Sequence, residues 1–230
     1  MKVIYEDNHL IIVNKASGEI VQGDKTGDKP LSEMLKEYIK DHYDKPGEVF
    51  LGVVHRLDRP VSGLVVFART SKALARMNTL ISEREVKKTY WAIVKGSPPK
   101  PEGHLINYLW KNESQNKSYI VTEDKKGALR AELKYKILAR SKDYSLLEVN
   151  LLTGRHHQIR VQLSAIGCTI RGDLKYGYSR SNPDGSINLH ARQIEFIHPV
   201  KQTLFSIKAI PPNERMWNIF KEIMGTESDE

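Results

Sequence analysis

The sequence predicts a single α+β domain built on a mixed, largely antiparallel central β-sheet with flanking helices. Apolar residues recur with a period of two in some stretches and of about 3.6 in others, which indicates both strands and helices. Between residues 128 and 151 two alternating runs follow one another without a helix between them. Adjacent strands with short connections favour antiparallel pairing, so a regular βαβ repeat is not expected. The sequence shows no internal repeat, linker or break in composition.

Six short apolar runs predict strands. They cover residues 10–14, 64–68, 90–94, 133–137, 147–151 and 194–197. In the fourth run Leu133, Tyr135 and Ile137 alternate with lysines, as in a strand with one buried face. Loops rich in Gly, Pro, Asp or Ser are predicted at residues 23–29, 97–103 and 179–185.

Four stretches place apolar residues on one helical face. They are residues 31–39, 74–81, 159–166 and about 213–224. Pro30 stands near the start of the first helix, and the Thr70 hydroxyl is placed to cap the second. Gly167 ends the third helix, and a glycine also ends the fourth.

The composition is that of a basic globular protein. Its 230 residues include 36 Lys and Arg against 28 Asp and Glu, which gives a net charge of +8. This balance suits a polyanionic partner such as nucleic acid, although many basic proteins bind none. The lone Cys168 excludes an internal disulfide and a cysteine-rich metal site.

The N-terminal residues and the hydropathy of the chain predict where in the cell the protein is found. The start lacks the long apolar region of a signal peptide, and no stretch reaches the roughly 18 continuous apolar residues of a membrane span. A cytoplasmic protein is therefore expected. Residues 226–230 are expected to form a short acidic tail.

The segment of residues 52–64 combines apolar residues with the dense ionisable run His55-Arg56-Leu57-Asp58. Pro60 cannot donate to a sheet ladder, so Asp58 is expected in a loop between two strands, at the rim of a sheet. Rigid loops of this kind commonly carry catalytic groups. Read alone, the segment better suits a turn carboxylate paired with Arg56 or Arg59, because ion pairs at turns are common.

The segment of residues 153–160 joins the end of a strand to the third helix. Backbone N–H groups at a helix start attract anions, and Arg155 and Arg160 add positive charge there. Arginine binds either a phosphate or a carboxylate through two parallel hydrogen bonds, so both ligands stay open. His156 and His157 are adjacent and do not converge on one helix face, so no metal site is expected.

A third segment, residues 87–96, predicts a strand in which Tyr90, Ala92 and Val94 share one face. Aromatic residues in strands are most often part of the core. Tyr90 gains a functional meaning only if its face opens onto the same pocket as Asp58.

Together the three segments resemble the RluA-type family of pseudouridine synthases. The family's His-Arg-Leu-Asp run and the Ser-Gly that follows it match residues 55–63, and its Lys-x-Tyr-x-Ala-x-Val-x-Gly strand matches residues 88–96. Its Thr-Gly-Arg-x-His-Gln-Ile-Arg motif matches residues 153–160. A late Leu-His-Ala element matches Leu189 and the two residues after it. The resemblance runs from about residue 3 to residue 212, in the family's order.

The resemblance implies a role for each matched residue. Asp58 is the essential carboxylate, Tyr90 lies against the bound uracil, and Arg155 pairs with Asp58. Arg56 enters the RNA stack in place of the flipped base. The RNA cleft crosses the middle of the sheet, and basic residues around it hold phosphates. The residues expected to bind substrate RNA are His55, Arg56, Arg59, Lys88, Arg160 and Leu189.

The implied reaction breaks the C1′–N1 bond of uridine, rotates the uracil and joins C5 to C1′. It involves no net redox change, which agrees with a sequence that has no nucleotide-cofactor motif, so no cofactor is expected. The carboxylate either adds to C1′ or removes the C2′ proton to give a glycal, and both routes stay open. The substrate is expected to be ribosomal or transfer RNA.

Two other functions are considered. A non-catalytic RNA-binding module of the same fold would be expected to lack the carboxylate, which is present. A nucleoside-type hydrolase usually needs two acids, and the nearest second acid, Asp173, is expected to shape a turn. The catalytic domain is expected to span residues 1–225 without an N-terminal RNA-binding domain, and to act as a monomer with no protein partner.

Overall fold

The computed structural model describes residues 1–225, so the predicted acidic tail at residues 226–230 lies outside the described residues. Within residues 1–225 eleven strands form one sheet. The strands are β1 (Lys2–Glu6), β2 (Leu10–Lys15), β3 (Gly52–Val53), β4 (Ser62–Ala68), β5 (Lys87–Lys95), β6 (Glu102–Asn112), β7 (Lys117–Val121), β8 (Leu129–Arg140), β9 (Tyr144–Leu151), β10 (Leu189–Ile197) and β11 (Leu204–Lys208). The helices are α1 (Leu31–His42), α2 (Ser71–Ser82), α3 (Gln158–Ala165) and α4 (Arg215–Met224).

The sheet is mixed and largely antiparallel. Its main path runs β1-β2-β4-β10-β5-β9-β8-β6-β7, with β3 paired to β4 and β11 to β10. Among the described residues β4 and β10 form the one parallel pair, and the other paired strands are antiparallel. The predicted α+β class is confirmed, as is the antiparallel pairing of β8 and β9.

The four predicted helices are present, and their ends follow local chemistry. Pro30 is the residue before α1. The Thr70 hydroxyl accepts a hydrogen bond from the Ala73 N–H at 3.1 Å, which caps α2 as predicted. Gly167 and Gly225, just after α3 and α4, adopt left-handed backbone angles. No helix within residues 1–225 is long and apolar enough to cross a membrane.

Helices cover both faces of the sheet. On one face, Ile11 and Val13 of β2 pack with Leu31 and Leu35 of α1. The larger cluster lies on the opposite face and includes residues from β2, β4, β5, α2 and α3. The strict alternation of the strands produces this division, since neighbouring residues point to opposite faces. The cleft described below opens on the face of the larger cluster, to which Tyr90 belongs.

Five of the strands were not among the six predicted runs, namely β1, β3, β6, β7 and β11. β6 alternates exposed and half-buried residues, but many of its half-buried positions are polar or aromatic, which hides the pattern. The predicted proline-rich loop at residues 97–103 is correct up to residue 101, and β6 begins at Glu102. The predicted loops at residues 23–29 and 179–185 contain neither helix nor strand.

Candidate active site

Asp58 lies in the loop between β3 and β4 at the rim of the sheet, as the sequence predicted. Its carbonyl oxygen accepts a hydrogen bond from the Val61 N–H at 3.0 Å, which closes a tight turn through Arg59 and Pro60. Because proline has no N–H, the ladder cannot begin before the turn is complete. β4 then starts at Ser62.

Lys15, at the end of β2, holds the far side of this loop. Its side chain is buried, and Nζ donates to the carbonyl oxygens of Ala16, Glu19 and Arg59 at 2.9, 2.8 and 3.1 Å. All three ammonium hydrogens are thereby used. Burial is the main factor that lowers the pKa of Lys15, to about 8.

His55 holds the near side of the same loop. Its Nε2 accepts a hydrogen bond from the Val66 N–H of β4 at 3.2 Å. Burial and the neighbouring Lys88 lower the pKa of His55 to about 3, so the ring is neutral and available as an acceptor. The contact seen for His55 is therefore with the protein backbone, and it fixes the loop against β4.

Two side chains reach the Asp58 carboxylate, and both contact Oδ2. Arg160 donates from Nη1 at 3.0 Å, and His157 Nε2 lies 3.4 Å away. Oδ1 has no hydrogen-bond partner among residues 1–225. The Asp58 side chain is 30% exposed and lines the cleft, so a molecule bound there can reach the carboxylate.

The predicted pairing of Arg155 with Asp58 is wrong. Arg155 lines the same cleft, but its Nε donates to the Arg130 carbonyl oxygen of β8 at 3.1 Å. The turn before α3 is the physical reason. Gln158 Oε1 accepts from the Arg155 N–H, and His157 adopts a left-handed conformation, so the chain reverses between residue 155 and the helix. The first turn of α3 then brings Arg160 to the carboxylate.

Arg160 was expected to hold phosphate, and the structure corrects this as well. Its side chain is 6% exposed and lies between two carboxylates. Nε and Nη2 donate to the two oxygens of Asp173 at 2.7 and 2.9 Å, while Nη1 donates to Asp58. Asp173 is 1% exposed, so this bidentate pair is buried, and each of the three nitrogens of Arg160 donates to a carboxylate of the protein.

Tyr90 of β5 and Leu189 of β10 lie on adjacent strands of the sheet and line the cleft that contains Asp58. Tyr90 is 8% exposed, and burial together with the Asp58 charge raises the pKa of its hydroxyl. The ring is therefore a neutral phenol. From the sequence, Tyr90 has a functional meaning only if it shares a pocket with Asp58, and the structure places both residues in the lining of one cleft.

The cleft has a volume of about 1120 Å³ and a positive lining. The six Lys and Arg residues along it are Arg56, Arg84, Lys87, Lys88, Arg155 and Arg160. Two acids, Asp58 and Glu132, also line it. Arg56 is exposed and makes no side-chain hydrogen bond or ion pair with the described residues. A positively charged surface of this kind favours a polyanionic ligand. Because no such contact holds Arg56, its side chain is free to change position.

A family model described as RNA pseudouridylate synthase matches residues 9–165 of the chain. The chain belongs to the RNA pseudouridylate synthase family. Ribosomal large subunit pseudouridine synthase D of Zymomonas mobilis is 32% identical over 97% of the chain and 73% of its own length. Ribosomal large subunit pseudouridine synthase C of Buchnera aphidicola is 34% identical over 90% of the chain and 66% of its own length. These relatives confirm the RluA-type resemblance and make the chain an RNA pseudouridine synthase by class, an isomerase.

A solved structure shares the fold. Human RNA Pseudouridylate Synthase Domain Containing 4 superimposes with a TM-score of 0.79 at 23% identity, covering 100% of this chain and 95% of that one. The chain thus spans about two thirds to three quarters of the two bacterial relatives and nearly all of the human domain.

Among the site residues predicted for this family member, Arg59 does not reach the cleft. Its guanidinium pairs with Asp28 in the loop after β2. The backbone of Arg59 contributes to the site instead, since its carbonyl oxygen accepts a hydrogen bond from Lys15. The cleft lining brings together the other predicted residues: Asp58, Tyr90, Arg155, Arg56, His55, Arg160, Lys88 and Leu189.

No role in the site was predicted from the sequence for three residues that the structure places around the Asp58 loop and its partner Arg160: Lys15, His157 and Asp173. Lys15 ends a strand of otherwise buried residues, which was a signal that the lysine itself is buried. His157 stands in the motif next to the arginines. Asp173 was expected to shape a turn, and its pairing with Arg160 had no local signal, because Arg160 is on a different element. Within residues 1–225 no group of three or more His, Cys, Asp or Glu side chains is placed to hold a metal ion.

Proposed function

We propose that this chain isomerises uridine to pseudouridine in structured RNA, with Asp58 as the carboxylate that acts at the sugar after the base leaves the stack. The observation that supports this is the geometry of Asp58. Oδ2 is contacted by Arg160 and His157, while Oδ1 has no partner among the described residues and belongs to a side chain that lines a basic cleft. One oxygen positions the group and the other is left to react.

The proposed chemistry needs Asp58 in its ionised form. A neighbouring guanidinium favours a charged carboxylate, and Arg160 supplies it at 3.0 Å. From this position Oδ1 either attacks C1′ or removes the C2′ proton. The same geometry serves both routes.

Tyr90 is proposed to bind the flipped uracil. Stacking of a base on an aromatic ring contributes about 1–3 kcal/mol. Because burial and the Asp58 charge raise the pKa of Tyr90, its hydroxyl keeps its proton and serves as a hydrogen-bond donor. Tyr90 is therefore not proposed as the free base that removes the C5 proton.

Base flipping is assigned to Arg56. Extruding a base costs about a few kcal/mol, and a side chain that fills the vacated position offsets part of this cost. Arg56 is exposed and lines the cleft beside Asp58. Lys87, Lys88 and Arg155 line the same cleft and are proposed to hold phosphates without reading sequence.

The hydrolase alternative loses its second acid in this structure. Asp173 is 1% exposed and both of its oxygens are bound to Arg160, so it is not placed to activate water. Glu132, the other acid in the cleft lining, is paired with Arg130 and His104. A non-catalytic RNA-binding module would not need an oriented carboxylate with one oxygen left without a protein partner.

The test is complementation of cells that lack the gene, with pseudouridines mapped in total RNA. Two relatives carry names of ribosomal large subunit enzymes, so large-subunit ribosomal RNA is the first fraction to map and transfer RNA the second. We expect the wild type to restore a site and Asp58→Asn to leave it unmodified, because an amide cannot act as a nucleophile or base here.

Asp143→Asn is the matched control, since Asp143 is exposed and lies outside the cleft lining. It should restore the site as the wild type does. Equal restoration by Asp58→Asn contradicts the assignment of Asp58. Release of free uracil by the purified protein would instead identify a hydrolase.

A further inference from the structure

The imidazole of His157 lies between Asp58 and Tyr176, which belongs to a 3-10 turn (Leu174–Tyr176). Nε2 is 3.4 Å from Asp58 Oδ2, and Nδ1 is 2.9 Å from the Tyr176 hydroxyl oxygen. The residue is 8% exposed and has a backbone φ of 53°. The ring also stacks on His156 with centroids 3.8 Å apart. A left-handed backbone and contacts on three sides hold the ring in one place.

The hydrogen bonds of Tyr176 determine which nitrogen of His157 carries the proton. The Tyr176 hydroxyl accepts from the Ser118 N–H at 2.9 Å, so its own hydrogen is available to donate. The nearer acceptor is His157 Nδ1 at 2.9 Å, compared with the Ser118 carbonyl oxygen at 3.3 Å. When Nδ1 accepts, the neutral ring carries its hydrogen on Nε2, directed at Asp58.

The charge state agrees with this arrangement. Burial, followed by the charges of Arg160 and other neighbours, lowers the pKa of His157 to about 2. A neutral ring with Nε2–H directs this hydrogen at the carboxylate, 3.4 Å away, without adding a second full positive charge beside it.

We infer that His157 is a positioning residue for the reaction: as a neutral donor to Oδ2 it acts with Arg160 to fix the Asp58 carboxylate, so that Oδ1 faces the sugar. The inference rests on the proposed role of Asp58. One donor restrains the rotation of the carboxylate about its Cβ–Cγ bond, and a second donor that approaches the same oxygen from another direction narrows that rotation further. Misplacing a reacting atom by about 1 Å can cost on the order of a hundredfold in rate.

The test compares His157→Asn with His157→Gln in single-turnover and steady-state assays. The substrate is the unmodified form of the RNA in which the mapping experiment finds the target uridine. Asparagine tolerates left-handed backbone angles well, but its amide is too short to reach Asp58. Glutamine places an amide N–H close to the position of Nε2. We expect His157→Asn to lower kcat by at least about tenfold with KM within about twofold, and His157→Gln to recover most of the lost kcat.

A control variant and a direct measurement complete the test. His42→Asn on α1, outside the cleft lining, should keep wild-type kcat. Nitrogen-15 NMR of histidine-labelled wild-type protein should show a neutral His157 with its proton on Nε2, and this readout does not depend on a variant that folds. Equal losses in both His157 variants, wild-type kcat in His157→Asn, or a proton on Nδ1 would each overturn the inference.

These outcomes separate the two proposals. If Asp58→Asn is inactive while both His157 variants turn over normally, the role of His157 is wrong and the role of Asp58 stands. If Asp58→Asn is active, the proposed role of Asp58 fails, and the inference about His157 that rests on it fails too, whatever the His157 variants do.

Discussion

At the scale of single residues, the guanidinium of Arg160 links the half-buried carboxylate of Asp58 to the buried carboxylate of Asp173. Its planar fork satisfies Asp173 with two N–H groups and leaves a third for Asp58. Removing one partner of a buried ion pair costs about 3–5 kcal/mol, because the other charge is left uncompensated. Asp173 therefore determines where Arg160 lies, and Arg160 determines where Asp58 lies.

Arg160→Lys tests this bridge. Lysine keeps the charge but is a point donor on a flexible chain, so it cannot bind Asp173 at two positions and still reach Asp58. We expect kcat to fall about a hundredfold, as measured under single-turnover conditions. Thermal unfolding should show a lowered midpoint.

Arg155→Lys is the comparison for this variant, because Arg155 lines the cleft but contacts a backbone carbonyl oxygen instead of Asp58. It should keep kcat within about threefold and show its main effect, if any, in KM. The opposite order, with a larger loss of kcat in Arg155→Lys than in Arg160→Lys, would support the pairing of Arg155 with Asp58 that the sequence predicted.

At the scale of elements, the Asp58 loop is positioned by three strands that are distant in sequence. Lys15 at the end of β2 and Val66 in β4 hold its two sides, and β10 pairs in parallel with the start of β4. This parallel pair brings Gly63 against Ala191 with very little space. The close approach connects the loop that carries Asp58 to the strand that carries Leu189.

Gly63→Ala should break this connection. Gly63 has a φ of +114°, and a Cβ there would lie 2.4 Å from the Ala191 backbone oxygen. Strain and overpacking together are expected to cost about 3 kcal/mol or more of unfolding free energy. Urea unfolding measures the loss.

Gly167→Ala provides the matched control, since Gly167 has a φ of +79° but open space around its Cβ position. It should cost only the conformational strain of about 1–2 kcal/mol. Similar losses in the two variants contradict the view that the β4–β10 contact is the critical feature.

At the scale of the whole molecule, the protein carries a net positive charge while several of its histidines stay neutral. The net charge is +8, and six Lys and Arg residues lie along one cleft. Several buried histidines are held neutral instead of adding to this charge. His190 is fully buried, and its two ring nitrogens contact the Ser62 hydroxyl and the Ala209 carbonyl oxygen at 2.9 and 3.1 Å.

The buried histidines predict a loss of stability in mild acid. Burial lowers the pKa of His190 to about 3, whereas an unfolded histidine titrates near 6.5. Between these values the unfolded chain binds a proton that the folded chain does not. Stability contributed by His190 is therefore fully present above about pH 6.5 and is lost as the pH falls toward 3.

We expect His190 alone to lower the free energy of unfolding by about 1 kcal/mol between pH 7 and pH 5.5. Urea unfolding of wild type and His190→Gln at both pH values measures this. The variant should be less stable at pH 7 but should lose less stability on acidification. An identical pH dependence in the two proteins refutes the assignment.

The sequence by itself determined the fold class, four helices and the position of Asp58 in a loop between strands. It did so because these features depend on local patterns: periodicity, a capping threonine, a proline before a strand and glycines after helices. The motifs around residues 58, 90 and 155–160 were also sufficient to indicate the family.

Only the tertiary structure decided how the site is assembled. Arg155 and Arg160 stand in the same motif with the same charge, and the left-handed turn at His157 selects the second as the partner of Asp58. Lys15 and Asp173 come from other parts of the chain. Their roles arise because burial requires every charge and donor to find a partner, and those partners are set by the packing of the whole chain.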